Sequence, residues 1–142
     1  MLRGLEDGPL PATTTLTTYM LRAGQVDEAR DYLAAHPADL DPVNWFSLLN
    51  WSCAAETAAG LEDRDLAARA YELLTPYAGL SACAGSGSVI GPVNAFLALA
   101  AATVGETGLA ARHADDALLL MEKWRIPLAA QWLRDQRERL GF

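Results

Sequence analysis

Lysine is nearly absent from this chain: Lys123 stands alone beside ten arginines, a bias that reads as GC-rich coding and carries no mechanism. Basic residues of either kind are scarce, eleven against eighteen acidic ones, for a net charge of −7. That balance argues against duplex nucleic acid as a partner, because such binding rests on a basic patch that neutralises phosphates. Cysteine is scarce too. Cys53 and Cys83 do not make a disulfide framework in 142 residues, so reduced thiols in a cytoplasmic protein are expected. Long apolar runs are missing: the longest, Val93 to Val104, is interrupted by Asn94 and falls well short of the roughly 20 residues a bilayer-spanning helix needs. The opening MLRGLEDGPLP lacks the apolar core of a signal peptide. No alternating apolar run is flanked by hairpin turn residues, so no strand is expected. There is no C-x-x-C, no metal-ligand pair at i, i+4 and no nucleophile elbow, and therefore no metal or cofactor is expected.

Alanine and a repeat are what the chain does have. Gly24-Gln25-Val26-Asp27-Glu28-Ala29, Glu62-Asp63-Arg64-Asp65-Leu66-Ala67 and Gly105-Glu106-Thr107-Gly108-Leu109-Ala110 share one layout: a polar turn, then an alanine opening a helix face. Their marker alanines recur at roughly 38 and 43 residues, within the range of helical-hairpin repeats. Each turn lies between an apolar, alanine-rich segment and a more charged one, the pattern of antiparallel helix pairs in tandem.

Boundaries follow from caps and breakers. Residues 1–10, with Gly4, Gly8 and Pro9, read as a flexible leader, and residues 11–142 as a single domain. Pro11 suits a first helical position before a helix over Thr13–Ala23, although its threonines are poor helix formers. A second helix covers Val26–His36 and stops at Pro37. Asp41-Pro42 starts a third, running to about Gly60, and Asp63 caps a fourth that reaches Leu74 before Thr75-Pro76. Residues Gly79 to Gly91 have neither helical nor strand periodicity and read as a long connector. Pro92 opens a fifth helix to Val104; a sixth spans Gly108–Lys123 and a seventh Leu128–Leu140. The expected fold is all-α, an α-solenoid fragment of about seven helices. Ala110, Ala114, Ala117 and Met121 form the apolar stripe of the sixth helix, and Leu66, Ala67, Ala70, Tyr71 and Leu74 that of the fourth.

Residues 55–93 are more specific. Ala55-Glu56-Thr57-Ala58-Ala59, Asp63 to Ala68, Tyr71-Glu72-Leu73-Leu74-Thr75-Pro76-Tyr77-Ala78-Gly79, Ala84-Gly85-Ser86-Gly87-Ser88 and Gly91-Pro92-Val93 carry a resemblance. The stretch resembles the tetratricopeptide-like (TPR-like) C-terminal region of large bacterial ATP-dependent transcriptional regulators, of the LuxR-type and adenylate-cyclase-associated kinds, and the likeness extends over roughly residues 20–140. It implies a repeat array that senses a small inducer or contacts a protein partner. Three departures limit it. Gly85-Ser86-Gly87-Ser88 lacks the Gly-Lys-Ser/Thr of a phosphate-binding loop, no basic helix-turn-helix is present, and Glu62 stands where the family's turn usually has glycine. ATP hydrolysis and DNA binding are thus not implied.

In stacked hairpins the first helix of each pair lines the concave face. Tyr19, Asn50, Trp51, Glu56, Ser86, Ser88 and Asn94 are the candidate groove residues. Gly85, Gly87 and Gly91 would allow a backbone to approach a ligand or simply make a connector. Glu56, a carboxylate on an alanine-rich helix, needs donors, which amides of the glycine loop could supply. Trp51 suits either a pocket or packing against a flanking repeat, whereas Trp45 shares an apolar stripe and is expected in the core. Trp124 and Trp132 are expected to seat the last helix, and His36 to close the second at its C-terminus. His113 beside Asp116 is the one His/acid pair at helical spacing and, with Glu56, a weak catalytic candidate. The leading expectation is a non-enzymatic sensor or scaffold whose concave groove binds a protein segment or a small organic ligand. An enzyme of natural-product biosynthesis using the same groove, or a self-associating module forming a homodimer, are the alternatives.

Overall fold

The computed structural model describes residues 12–142, so the expected leader and Pro11 lie outside the described residues. Seven α-helices make up most of these: α1 (Thr13–Arg22), α2 (Val26–Ala35), α3 (Ser47–Leu61), α4 (Arg64–Leu74), α5 (Val93–Val104), α6 (Thr107–Lys123) and α7 (Pro127–Leu140). A 3-10 turn at Thr75–Tyr77 extends α4. Between it and α5, strands β1 (Ser81–Ala84) and β2 (Ser88–Pro92) pair antiparallel.

The repeated turns are one structure used several times. Gly24, Glu62 and Gly105 all adopt the left-handed conformation, at φ 77°, 58° and 95°. After each, an amide reaches back to the same carbonyl five residues earlier: Gln25 to Met20, Asp63 to Ala58 and Glu106 to Ala101, all at 2.9 Å. This satisfies carbonyls that the ending helix leaves unpaired. The following helix then carries a fully buried alanine at its fourth position: Ala29, Ala67 and Ala110. A fourth copy joins α6 to α7. Arg125 (φ 57°) takes the left-handed position, the Ile126 amide bonds the Met121 carbonyl at 3.0 Å, and Ala130 is the buried alanine.

Two helices form the centre. From Val93 to Ala101 every residue of α5 is buried, as is most of α3, which is the behaviour of helices apolar on all sides. α5 packs against α3, α4, α6 and α7, while α1 covers α3. Alanine predominates at these contacts and permits close approach. The α1–α3 seam is polar instead, and this accounts for Thr14, Thr17 and Thr18 of α1. Thr14 donates to Asn50 Oδ1 at 2.6 Å, the Thr17 and Thr57 hydroxyls pair at 2.8 Å, and Thr18 donates to the Cys53 carbonyl at 3.1 Å. Poor helix propensity is offset by buried hydrogen bonds that fix how α1 sits on α3.

Three expectations need correction. Residues 79–91 are not an irregular connector: the β-hairpin occupies most of them, and the expectation of no strand fails there. The inward residues of β1, Ala82 and Ala84, are small, and a bulge at Ile90, opposite the Ala82–Cys83 step, breaks the alternation of β2, so the two-residue period is hidden. The third helix starts at Ser47, not near Pro42. Asn44 Oδ1 accepts from the Phe46 amide, while Ser47 Oγ accepts from the Asn44 amide and donates to the Pro42 carbonyl, which holds the chain in a turn before the helix. Trp45 therefore precedes the helix and is 61% exposed rather than core, leaning on Phe46 and over Gly85.

Candidate functional site

The last turn of α1, the start of α2, the second half of α3 and α7 from Trp132 onward meet around a cleft of about 510 Å³. Its apolar walls are Leu21, Val26 and Trp132; its polar groups are Arg22, Glu56, Gln136 and Arg139. Gly60 lines the cleft where α1 and α3 come closest: a Cβ there would lie 2.7 Å from Leu21 Cδ1. A volume of this size suits a small organic ligand.

Arg22 organises the wall. Its Nε and Nη2 donate to Glu56 Oε1 and Oε2 at 2.7 and 2.8 Å, and its guanidinium carbon lies 5.3 Å from the Trp132 ring centroid. The bidentate pair suits the planar fork of arginine, and the aromatic face takes the remaining side of the cation. Glu56 holds the Arg22 guanidinium above its ordinary value, the hydrogen bonds outweighing the cost of burial. One residue thus ties α1 to α3 and to α7. Trp132 in turn packs on Phe96 of α5, with ring centroids 5.7 Å apart, as expected for a residue that seats the closing helix.

The sequence-derived groove residues do not form one site. Glu56 alone lines this cleft, and its donor is Arg22, not the amides of the glycine loop. Asn50 is buried at the α1–α3 seam, accepting from Thr14 and donating to the Asp39 carbonyl at 2.8 Å. Trp51 is buried against the segment before α3 and donates to the Leu40 carbonyl at 3.0 Å. Asn94 is buried and accepts from the Gly79 amide at 2.6 Å, holding the base of the hairpin. Ser86 is exposed at the hairpin turn. Exposed Tyr19 and Ser88 meet at a second, much smaller cavity of about 30 Å³, with Thr15, Thr18, Cys53 and Ile90. Burial pushes the Cys53 thiol there up to about 11, with the Glu56 charge adding to the effect.

His113 lies outside the cleft. Its Nε2 is 3.0 Å from the Tyr71 hydroxyl, joining α6 to α4. Burial lowers its proton affinity below the usual imidazole value and Arg112 adds to that, with Asp116 opposing. Among the described residues no group of three or more His, Cys, Asp or Glu side chains could hold a metal ion, and no helix is long and apolar enough to cross a membrane.

Every cleft residue but Glu56 lies outside the expected groove set, among them the polar and aromatic groups Arg22, Trp132, Gln136 and Arg139. One signal pointed toward Arg22: a carboxylate on an alanine-rich helix requires a donor, and Arg22 ends the helix packed on it. Nothing local marks Arg139, which joins the site only through the placement of α7. A larger furrow of about 770 Å³ runs between α6 and α7, with Leu118, Leu119, Ile126 and Pro127 among its walls. It separates two helices adjacent in the chain, and Leu119 is 66% exposed. The smaller cleft is the stronger candidate, because helices remote in sequence build it around a nearly buried carboxylate.

Compared with protein-family models, curated proteins and solved structures, the chain has no match.

Proposed function

We propose that this chain is a TPR-like helical-repeat domain that binds a small organic ligand in the cleft between α1, α3 and α7 and acts as a sensor or scaffold. Support for the repeat architecture comes from the recurring left-handed turns and from the packing order, α1 on α3 and α3 on α5, with α7 joining α5. One observation carries the binding role. Arg22 is clamped between Glu56 and Trp132 on the wall of a cleft with an apolar lining, an arrangement that orders polar groups without any reactive constellation. It agrees with the resemblance at residues 55–93, whose family uses such arrays to sense inducers or contact partners. A ligand seated there would touch the first and last helices together, so its binding would stiffen the whole array.

A thermal-shift screen with uncharged and charged aromatic compounds tests this. At a hundredfold excess over Kd a ligand stabilises by about 2.7 kcal/mol, a rise of several degrees for a domain of this size. At least one compound is expected to raise the midpoint of the native protein and fail on Gln136→Phe, which fills the cleft from the α7 side. Compounds that act equally on both proteins, or none that acts at all, would overturn the proposal.

A further inference from the structure

We infer that the cleft selects an anion with an apolar body, an aromatic or branched carboxylate, with Arg139 as the residue that meets its charge; this rests on the binding role proposed above. The cleft holds two guanidinium groups and one carboxylate. Both oxygens of Glu56 are engaged by Arg22, so that pair is neutral and already satisfied. Arg139 is left over. It forms no ion pair among the described residues, and its Nε and Nη2 both donate to a single neutral acceptor, Gln136 Oε1, at 3.2 and 2.7 Å.

This is the edge of an arginine that matches the two oxygens of a carboxylate. A ligand carboxylate replacing the Gln136 oxygen would turn two donations to one neutral atom into a bidentate, charge-assisted pair. The displaced Gln136 amide could then donate to the same anion. Arg30, Arg125 and Arg134 also line cavities without an ion pair among the described residues, but Asp63 and Asp65, or Asp115 and Glu122, line those cavities with them. In this cleft the one carboxylate is already taken, which makes it the complementary place for an anion. The body of the ligand would lie against Leu21, Val26 and the Trp132 ring, Val26 being 39% exposed with no apolar cover. Because Arg139 is itself exposed, the ion pair contributes selectivity more than affinity, and the apolar contacts supply most of the binding.

Two probes of equal shape separate charge from shape: 1-naphthoate and the uncharged 1-naphthamide, titrated calorimetrically into the full chain and into Arg139→Gln and Gln136→Phe. The expected result is that the native protein prefers naphthoate by about tenfold, a preference weakened at high salt. Arg139→Gln should weaken naphthoate far more than naphthamide and bring the two to parity. Equal affinity for the two probes in the native protein would overturn the anion selectivity while leaving the cleft as a binding site. A naphthoate preference that survives Arg139→Gln would remove Arg139 from the role. If neither probe binds, or both bind Gln136→Phe as well as the native chain, the binding role itself fails and the selectivity falls with it.

Discussion

Arg22 and Glu56 form a pair whose two members are unequally placed: the Glu56 side chain is 9% exposed and that of Arg22 42%. The consequence is an asymmetry between deletions. Arg22→Ala leaves a nearly buried carboxylate without its partner and also strips a cation from the Trp132 face. Glu56→Gln leaves a guanidinium that can turn toward water. Arg22→Ala is therefore expected to cost about 2–3 kcal/mol and Glu56→Gln about 1 kcal/mol, below the range for fully buried pairs because one partner is half exposed. Urea denaturation of the two variants checks the order; an equal or reversed cost would show that the carboxylate is not held by Arg22.

Glu62 occupies a left-handed position that glycine fills at the equivalent turns of Gly24 and Gly105. A side chain there costs about 1 kcal/mol relative to glycine, and no side-chain hydrogen bond of Glu62 offsets it among the described residues. Glu62→Gly is expected to raise the thermal midpoint by a few degrees, in contrast to the usual loss when glycine enters a helical protein. A lowered midpoint would mean that Glu62 makes a stabilising contact at this turn.

His113 gives the fold a pH dependence of predictable sign. Burial and the Arg112 charge lower its proton affinity in the folded state. As pH falls through the usual imidazole range, near about 6.5, the unfolded chain takes up a proton that the folded chain resists. Stability is lost in that window and the loss is complete below the lowered folded value. The midpoint difference between the native protein and His113→Gln should shrink as pH drops from about 8 to about 5. A difference that stays flat or widens would contradict the lowered value and the neutral contact with Tyr71.

The two thiols should react at very different rates. Cys53 is buried and its thiol is pushed up to about 11, whereas Cys83 lies half-buried on β1. Thiolate is the reacting species, so in the native protein Cys83 is expected to be modified more than about tenfold faster. Mass spectrometry after brief treatment with a maleimide locates the adduct. Rapid labelling of Cys53 would show that the hairpin opens away from α3.

Much of the helical frame could be read from residues alone, because each turn has a local cause. Gly24 and Gly105 supply left-handed caps, Asp63 accepts from the Leu66 amide at 3.0 Å as a helix cap, and the alanine stripes of α4 and α6 face inward as their spacing requires. The fourth turn escaped because Arg125 stands where glycine would have announced it. The hairpin escaped because Ala82 and Ala84 bury so little surface that a two-residue period leaves no trace in hydropathy. Asn50, Trp51 and Asn94 stand out in the sequence as groove candidates, and the structure turns them inward instead. Their partners are backbone and side-chain atoms of the fold, a fact fixed by which segments pack together. Arg22 and Arg139 converge only once α7 returns to α1, and no window of the sequence contains that relation.

A small molecule held in the cleft between α1, α3 and α7 is detected most directly through the indole N–H signals of a nitrogen-15 proton correlation spectrum. The chain has four tryptophans, of which Trp132 alone lines the cleft. On titration with 1-naphthoate, the Trp132 indole and the Gly60 amide are expected to shift together, with the Trp45, Trp51 and Trp124 indoles unchanged. Shifts confined to Leu119, Ile126 and their neighbours in the α6–α7 furrow, or a spectrum that does not move, would contradict binding in the cleft.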